Sequence, residues 1–273
     1  MLGSLGQIFN TLFIEPTLNV LVIFYSAFAS IGLPGAFGFS IIAITILIRT
    51  LMHPFFKKQM HTAKKMRDIK PRLDVLKKKH EKDPQQLQKA QLELYKEAGI
   101  NPASGCLFAI VQMPLIFGLY QVLRIFLEFD KNGASVKIKE INDKLYFNSF
   151  HVEKLDPHFF MFNLALTPAT GGAWYYFLIP FVTAGLQFWQ SKVTMTQNPM
   201  TDISTEKVDD KDKKKGSDTQ GDFQKAMNTQ MKYFFPLMIG YFSYTLPVGL
   251  SIYWNTFSLF SIIQHYMTDK KDR

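Results

Sequence analysis

Apolar residues in this chain are gathered into long runs instead of alternating with polar ones as in a half-buried soluble element. Five runs have the composition of membrane spans: Ala36–Met52, Cys106–Phe126, Ala173–Trp189, Tyr233–Val248 and Leu250–Met267. Each is near the roughly 20 residues that a bilayer core demands, and several fall short of it. A further run, Leu12–Ile31, is apolar almost all round and long enough to cross, with only "GLPG" between it and the next. Lying on the membrane and spanning it both remain open for that segment. Pro114, Pro180 and Pro236 are expected to kink three of the spans.

Between the first two spans the pattern changes to an amphipathic one. Ala63, Met66, Ile69, Leu73 and Leu76 recur at three- and four-residue steps, as do Leu87, Ala90, Leu94 and Ala98, which predicts a helical hairpin over His53–Ile100. "KDPQQ" offers Asp83 as N-cap, Pro84 at the first helical position and Gln86 as a capping-box partner. Gly99 can close the second helix, and Pro71 should kink the first. Residues 191–231, with "DDKDKKKGSDTQGD", are too polar to bury a core and read as a partly disordered loop.

Charge orients these elements. No Lys or Arg precedes Arg49, then 13 basic and 6 acidic residues fall between His53 and Ile100. Between Phe129 and Gly172 the count is 5 against 5, which makes the first block cytoplasmic and the second external. Five spans then put the N-terminus outside and the C-terminus inside. A net charge of +9 is also compatible with RNA contact by the hairpin, but orientation of the loops is the simpler account. One cysteine, Cys106, excludes an internal disulfide and a CxxC metal site. No basic leader precedes the first apolar run, so a cleaved signal peptide is not expected.

Arg49 is the sole charge in its span, in "TILIRTLMHP". It could snorkel to the interface, since His53 is near, or it could serve a ligand. No Asp or Glu lies in a span interior to pair with it. Polar stripes recur in the other spans: Thr183, Gln187 and Gln190; Tyr241, Tyr244 and Thr245; Ser251, Trp254, Asn255, Ser258 and Gln264; and Gln112, Gln121 and Arg124. One stripe alone would signify helix–helix hydrogen bonding, but the set suggests a shared hydrophilic cavity for an acidic ligand. There is no nucleophile elbow, HExxH, paired carboxylate or phosphate loop, so neither an enzyme nor a cofactor is expected. A small-solute transporter or channel with a basic cytoplasmic vestibule is the competing class, although no internal repeat supports it.

"FSIIAITILIRTLMHP", the basic hairpin, "NPASGCLFAIVQMPLIFGLYQVL" and "LPVGLSIYWNTFSLFSIIQ" occur in the order and spacing of the YidC/Oxa/Alb membrane protein insertases. The resemblance covers residues 11–268 and is nearest to the short bacterial form of the family. It implies an all-α, polytopic protein of the bacterial inner membrane, with five transmembrane helices around a hydrophilic groove and a cytoplasmic hairpin. The implied layout is an external interfacial region at 1–35 and spans at 36–52, 103–128, 173–190, 232–248 and 249–268. The hairpin occupies 53–102, the external loop 129–172, and the cytoplasmic loop and tail 191–231 and 269–273. The implied activity is ATP-independent insertion of small membrane proteins and transfer of their short hydrophilic segments. Arg49 matches the family's groove arginine, Thr45 the polar residue one turn before it, Gln190 the third-span glutamine, and Tyr253 and Trp254 the aromatic pair of the fifth span. Gln187, from the same stripe as Gln190, joins this substrate-binding set. Nascent membrane proteins and the lipid bilayer are the expected partners, with the Sec translocon and ribosome as further candidates and DNA as none. The large external domain and lipidated N-terminus of some members are not expected here, nor is ribosome docking through a long basic tail.

Overall fold

In the computed structural model, residues 2–80, 83–101, 103–128, 137–196 and 233–271 are described. The chain is helical from Leu2 to Ser30, with a π-turn at Asn10–Ile14 between α1 (Leu2–Phe9) and α2 (Glu15–Ser30). Pro16 accounts for the break. It has no N–H to donate, its ring crowds the carbonyl four residues back, and the Glu15 amide reaches to Asn10 instead. Gly32 and Gly35, both at positive φ, then turn the chain within four residues into α3 (Ala36–Leu51).

A bend of 57° at Met52 separates α3 from α4 (His53–Asp68). The hairpin follows as α5 (Lys70–Lys79) and α6 (Pro84–Glu97). The predicted apolar stripes meet in a small core of Met66, Ile69, Leu73, Leu94 and Ile100. Asp83 caps α6 through its carboxylate, which accepts from the amides of Gln85 and Gln86 at 3.1 and 3.0 Å. The expected capping box is not completed, because the Asp83 amide donates to the His80 carbonyl. Gly99, at φ +62°, ends α6 in a Schellman turn: Ile100 donates to Tyr95 and Gly99 to Lys96. Pro71 does not kink a continuous helix; the chain breaks at Ile69 and the proline opens α5.

Beyond α7 (Ala103–Phe126) come α8 (Ile138–Asp143), a two-residue-strand hairpin, β1 (His158–Phe159) with β2 (Phe162–Asn163), and a 3-10 turn at Trp174–Phe177. The hairpin is antiparallel, with His158 opposite Asn163 and Phe159 opposite Phe162. Next are α9 (Leu178–Thr196), α10 (Phe235–Thr245) and α11 (Val248–Lys271). Pro180 and Pro236 stand in the first turns of α9 and α10, where a missing N–H costs nothing; Pro114 alone of the three lies in a helix interior. Of the loop expected at 191–231, residues 191–196 continue α9 and the rest lies outside the described residues.

The main core joins α2, α3, α7 and α11 beneath the 137–177 segment. Phe37 and Phe126 stack at 5.5 Å within it, both fully buried. Asn19 of α2 ties that segment down: its side chain donates to the carbonyls of Glu15 and Lys144 and accepts from the Tyr146 amide at 2.7 Å. Tyr25 donates to the Lys154 carbonyl one face further on. On the other side, α9 and α10 meet closely at Gly240, where an added Cβ would stand 2.9 Å from Ala184. A buried hydroxyl chain, Thr183–Ser243–Ser251 at 3.1 and 2.8 Å, links α9, α10 and α11.

By length and composition, one described helical run, Gly6–Ser30, can cross a membrane, and α3 with α4 reaches that standard only as a bent pair. Within α7 the stretch Ile116–Phe126 is apolar but short, α10 has 11 residues, and polar side chains at their mutual contacts dilute α9 and α11.

Candidate functional site

Arg49 lies in the last turn of α3, a position its charge favours because the helix dipole places negative potential there. The side chain is packed inside the protein, with the residue 4% exposed. Its guanidinium carbon sits 3.4 Å from the centroid of the Phe257 ring, and Nη2 donates a long bond of 3.4 Å to the Phe257 carbonyl. Nε is buried with no hydrogen-bond partner, and no carboxylate pairs with this arginine among the described residues. A charge taken out of water in this way costs several kcal/mol unless something anionic or polar approaches it.

That approach is open from one side. A cavity of about 230 Å³ borders Arg49 between α4, α9 and α11. Its polar lining comes from Gln59, Gln187, Gln190, Thr194, Ser261 and His265, and its apolar lining includes Phe56, Met60 and Phe257. Its volume leaves room for several waters or one acidic side chain. The Gln190 Oε1 is also buried without a hydrogen-bond partner among the described residues. Among the described residues, Arg49 is the one Lys, Arg, Asp or Glu in the cavity wall.

Helical spacing explains which residues meet here. Gln187, Gln190 and Thr194 recur at three and four residues on α9, Phe56, Gln59, Met60 and Ala63 on α4, and Phe257, Ser261 and His265 on α11. Of the six residues singled out from the sequence, Arg49, Gln187 and Gln190 border the cavity. Gln187 is partly committed, accepting from Ser258 at 3.1 Å. Thr45 and Tyr253 flank Arg49 in a separate hollow too small for a ligand, and Thr45 spends its hydroxyl on the Ile41 carbonyl at 2.6 Å. Trp254 lines neither space and packs against the main core.

The other polar stripes divide. Thr183 and Ser251 belong to the buried hydroxyl chain, and Tyr241, Gln121 and Arg124 are exposed on other faces. Gln264 closes the end of α3, donating to the Arg49 carbonyl at 3.4 Å and meeting His53 Nδ1 at 3.2 Å. The side chain of Gln112 lies outside the described residues. Sequence reasoning missed Phe257, His265 and the α4 wall. The available signal was the four-residue step from Tyr253 through Phe257 and Ser261 to His265.

Residues 28–273 match the family model described as the 60Kd inner membrane protein. A membrane protein insertase YidC of Fusobacterium nucleatum is 30% identical over 237 residues, covering 87% of this chain and 88% of that protein. Proteins of the same name from Rickettsia felis and Helicobacter pylori strain J99 are 30% and 27% identical over 91% and 86% of this chain. Here the chain spans only 38% and 33% of the relatives' length.

Proposed function

Because this chain belongs to the YidC/Oxa/Alb family of membrane protein insertases, described by the 60Kd inner membrane protein model, we propose that it inserts small membrane proteins into the inner membrane and carries their short hydrophilic segments across. The observation that carries the reading is a buried arginine with no carboxylate partner among the described residues, facing a cavity lined by amides and hydroxyls. A client's acidic residue would cost about 2.5–3.5 kcal/mol at mid-membrane on insertion scales. In the cavity it exchanges water for Gln187, Gln190 and the guanidinium, and that recovered solvation lowers the barrier to crossing without a nucleotide-driven step.

In this scheme α3, α7, α9, α10 and α11 cross the bilayer, and the 137–177 segment closes the external side. The hairpin α4–α6 receives clients at the cytoplasmic mouth, since α4 supplies one cavity wall. Asn19 and Tyr25 support an external seat for α2 because both bind the external segment. The N-terminus is then outside and Lys271 cytoplasmic. Thr45, Tyr253 and Trp254 act behind the arginine: the first two hold it in place and the third packs the fifth span.

Purified protein in liposomes tests the function. A single-span client with a short acidic N-terminal tail should become protease-protected in a protein-dependent manner without nucleotide. Conduction of small solutes without client integration would instead identify a transporter or channel.

A further inference from the structure

The loop joining β1 and β2 is two residues long, Phe160–Met161, where hairpins ordinarily use Asn-Gly or another glycine pair. Phe160 has φ +52°, the only positive φ outside glycine among the described residues. Bulky side chains are rarely found there. The surroundings impose the backbone. Phe159 seats in a notch at the start of α3, where a Cβ at Gly35 would come within 2.8 Å of its ring and one at Gly38 would run into it. Phe162 packs edge-on to Tyr175 and Tyr176, and the Tyr175 hydroxyl donates to the Met161 carbonyl at 3.3 Å. The Phe160 ring also meets Phe159 at 4.8 Å and Phe39 at 6.1 Å, both edge-on, but these contacts leave most of it uncovered and do not account for Met161. Phe160 is 70% and Met161 63% exposed, and Trp174, next to Tyr175, is 74% exposed.

Height supplies the explanation. Phe159 rests on the first turn of α3, whose apolar run begins at Ala36, and Trp174 opens the turn that leads into α9. The tip therefore stands where two spans emerge, at the level where aromatic side chains favour the boundary between headgroups and acyl chains. Trp174, linked to the tip through Tyr175, is followed by exposed Phe177 and by exposed Leu178 and Phe181 of α9. We infer that Phe160 and Met161 are a lipid anchor that dips into the outer leaflet and fixes the external ends of α3 and α9 at a set depth. Glycine would relieve the backbone at 160 but would give up both the ring contacts with Phe39 and Phe159 and the apolar surface offered to the lipid.

This rests on α3 and α9 crossing the bilayer, so the experiment carries a control for that. On a Cys106→Ser background, Phe160→Cys, Phe181→Cys and Glu153→Cys are each labelled with a fluorophore. The full chain is reconstituted in phosphatidylethanolamine–phosphatidylglycerol vesicles. Quenching is compared between a nitroxide high on the acyl chain and aqueous iodide. The expected result is lipid quenching at 160 and 181 at least about threefold that at 153. Lipid quenching at 181 with only iodide quenching at 160 overturns the anchor alone; iodide quenching at 181 as well overturns the span assignment beneath it. Phe160→Gly should stay folded, the relieved backbone offsetting the lost contacts with Phe39 and Phe159, yet reduce lipid quenching of a label at Met161→Cys about twofold. Unchanged quenching there would remove Phe160 from the anchor.

Discussion

Replacing Arg49 with methionine separates a charge kept for a ligand from a charge kept for the fold. In the structure the guanidinium gains a ring contact with Phe257 and one long hydrogen bond, while Nε is unsatisfied and the residue is 4% exposed. The ring contact is worth about 1–2 kcal/mol at a desolvated site. Against it, exchanging buried charges for well-packed apolar groups is commonly neutral or stabilising by about 1–4 kcal/mol. Arg49→Met should therefore leave stability unchanged or raise it by up to about 2 kcal/mol. For transport the balance reverses. A client carboxylate about 6 Å from the guanidinium, at an effective dielectric near 20, gains roughly 3 kcal/mol, or about 100-fold if felt at the barrier. The assay pairs thermal unfolding in lipid with liposome insertion of two clients that differ only in an Asp or Asn tail. The Asp client should slow by up to about 100-fold and the Asn client by less than about threefold, with Arg49→Lys restoring most of the difference. A methionine variant destabilised by more than about 2 kcal/mol, with both clients impaired equally, would refute the reasoning.

Asn19→Ala strands the Lys144 carbonyl and Tyr146 amide, so it should cost about 2–3 kcal/mol and speed amide exchange at Tyr146 by about 30-fold or more. Exchange there at the parent rate would show that Asn19 does not hold the 137–177 segment. Replacing Asp68–Lys96 by a short linker should leave the span core folded, because the hairpin has its own small core, and reduce client capture by about tenfold; undiminished insertion by a stable deletion would make the hairpin dispensable. Glu140 is hydrogen-bonded first to Lys144 and then to Lys137, which holds its carboxyl below the ordinary carboxylate value. Its contribution is thus full above that ordinary value and fades as pH falls through the lower, folded-state one. The pair is exposed enough for salt to screen it. Thermal midpoints measured from pH 7 to pH 3 should therefore fall slightly less for Glu140→Gln than for the parent, and identical curves would count against the pairing.

Local chemistry was legible in the residues themselves. Asp83 and Gly99 delimit α6 where the sequence placed them, because a cap and a left-handed turn need only neighbours a few residues away. Apolar periodicity likewise identified the hairpin core, and the absence of carboxylates in the spans marked Arg49 as unpaired before any geometry was known. Misjudged local features were those where a neighbouring group competed: the His80 carbonyl took the Asp83 amide, and breaks in the chain moved Pro71, Pro180 and Pro236 to helix starts. What only tertiary packing decided was the destination of each polar side chain. A stripe on one helix gives the same pattern whether it meets a hydroxyl on the next helix, as Thr183 does, or a cavity, as Gln190 does. Phe257 reads as ordinary core along the chain. It becomes the ring beneath Arg49 only because α11 crosses α3 at that level, a contact between residues 208 positions apart.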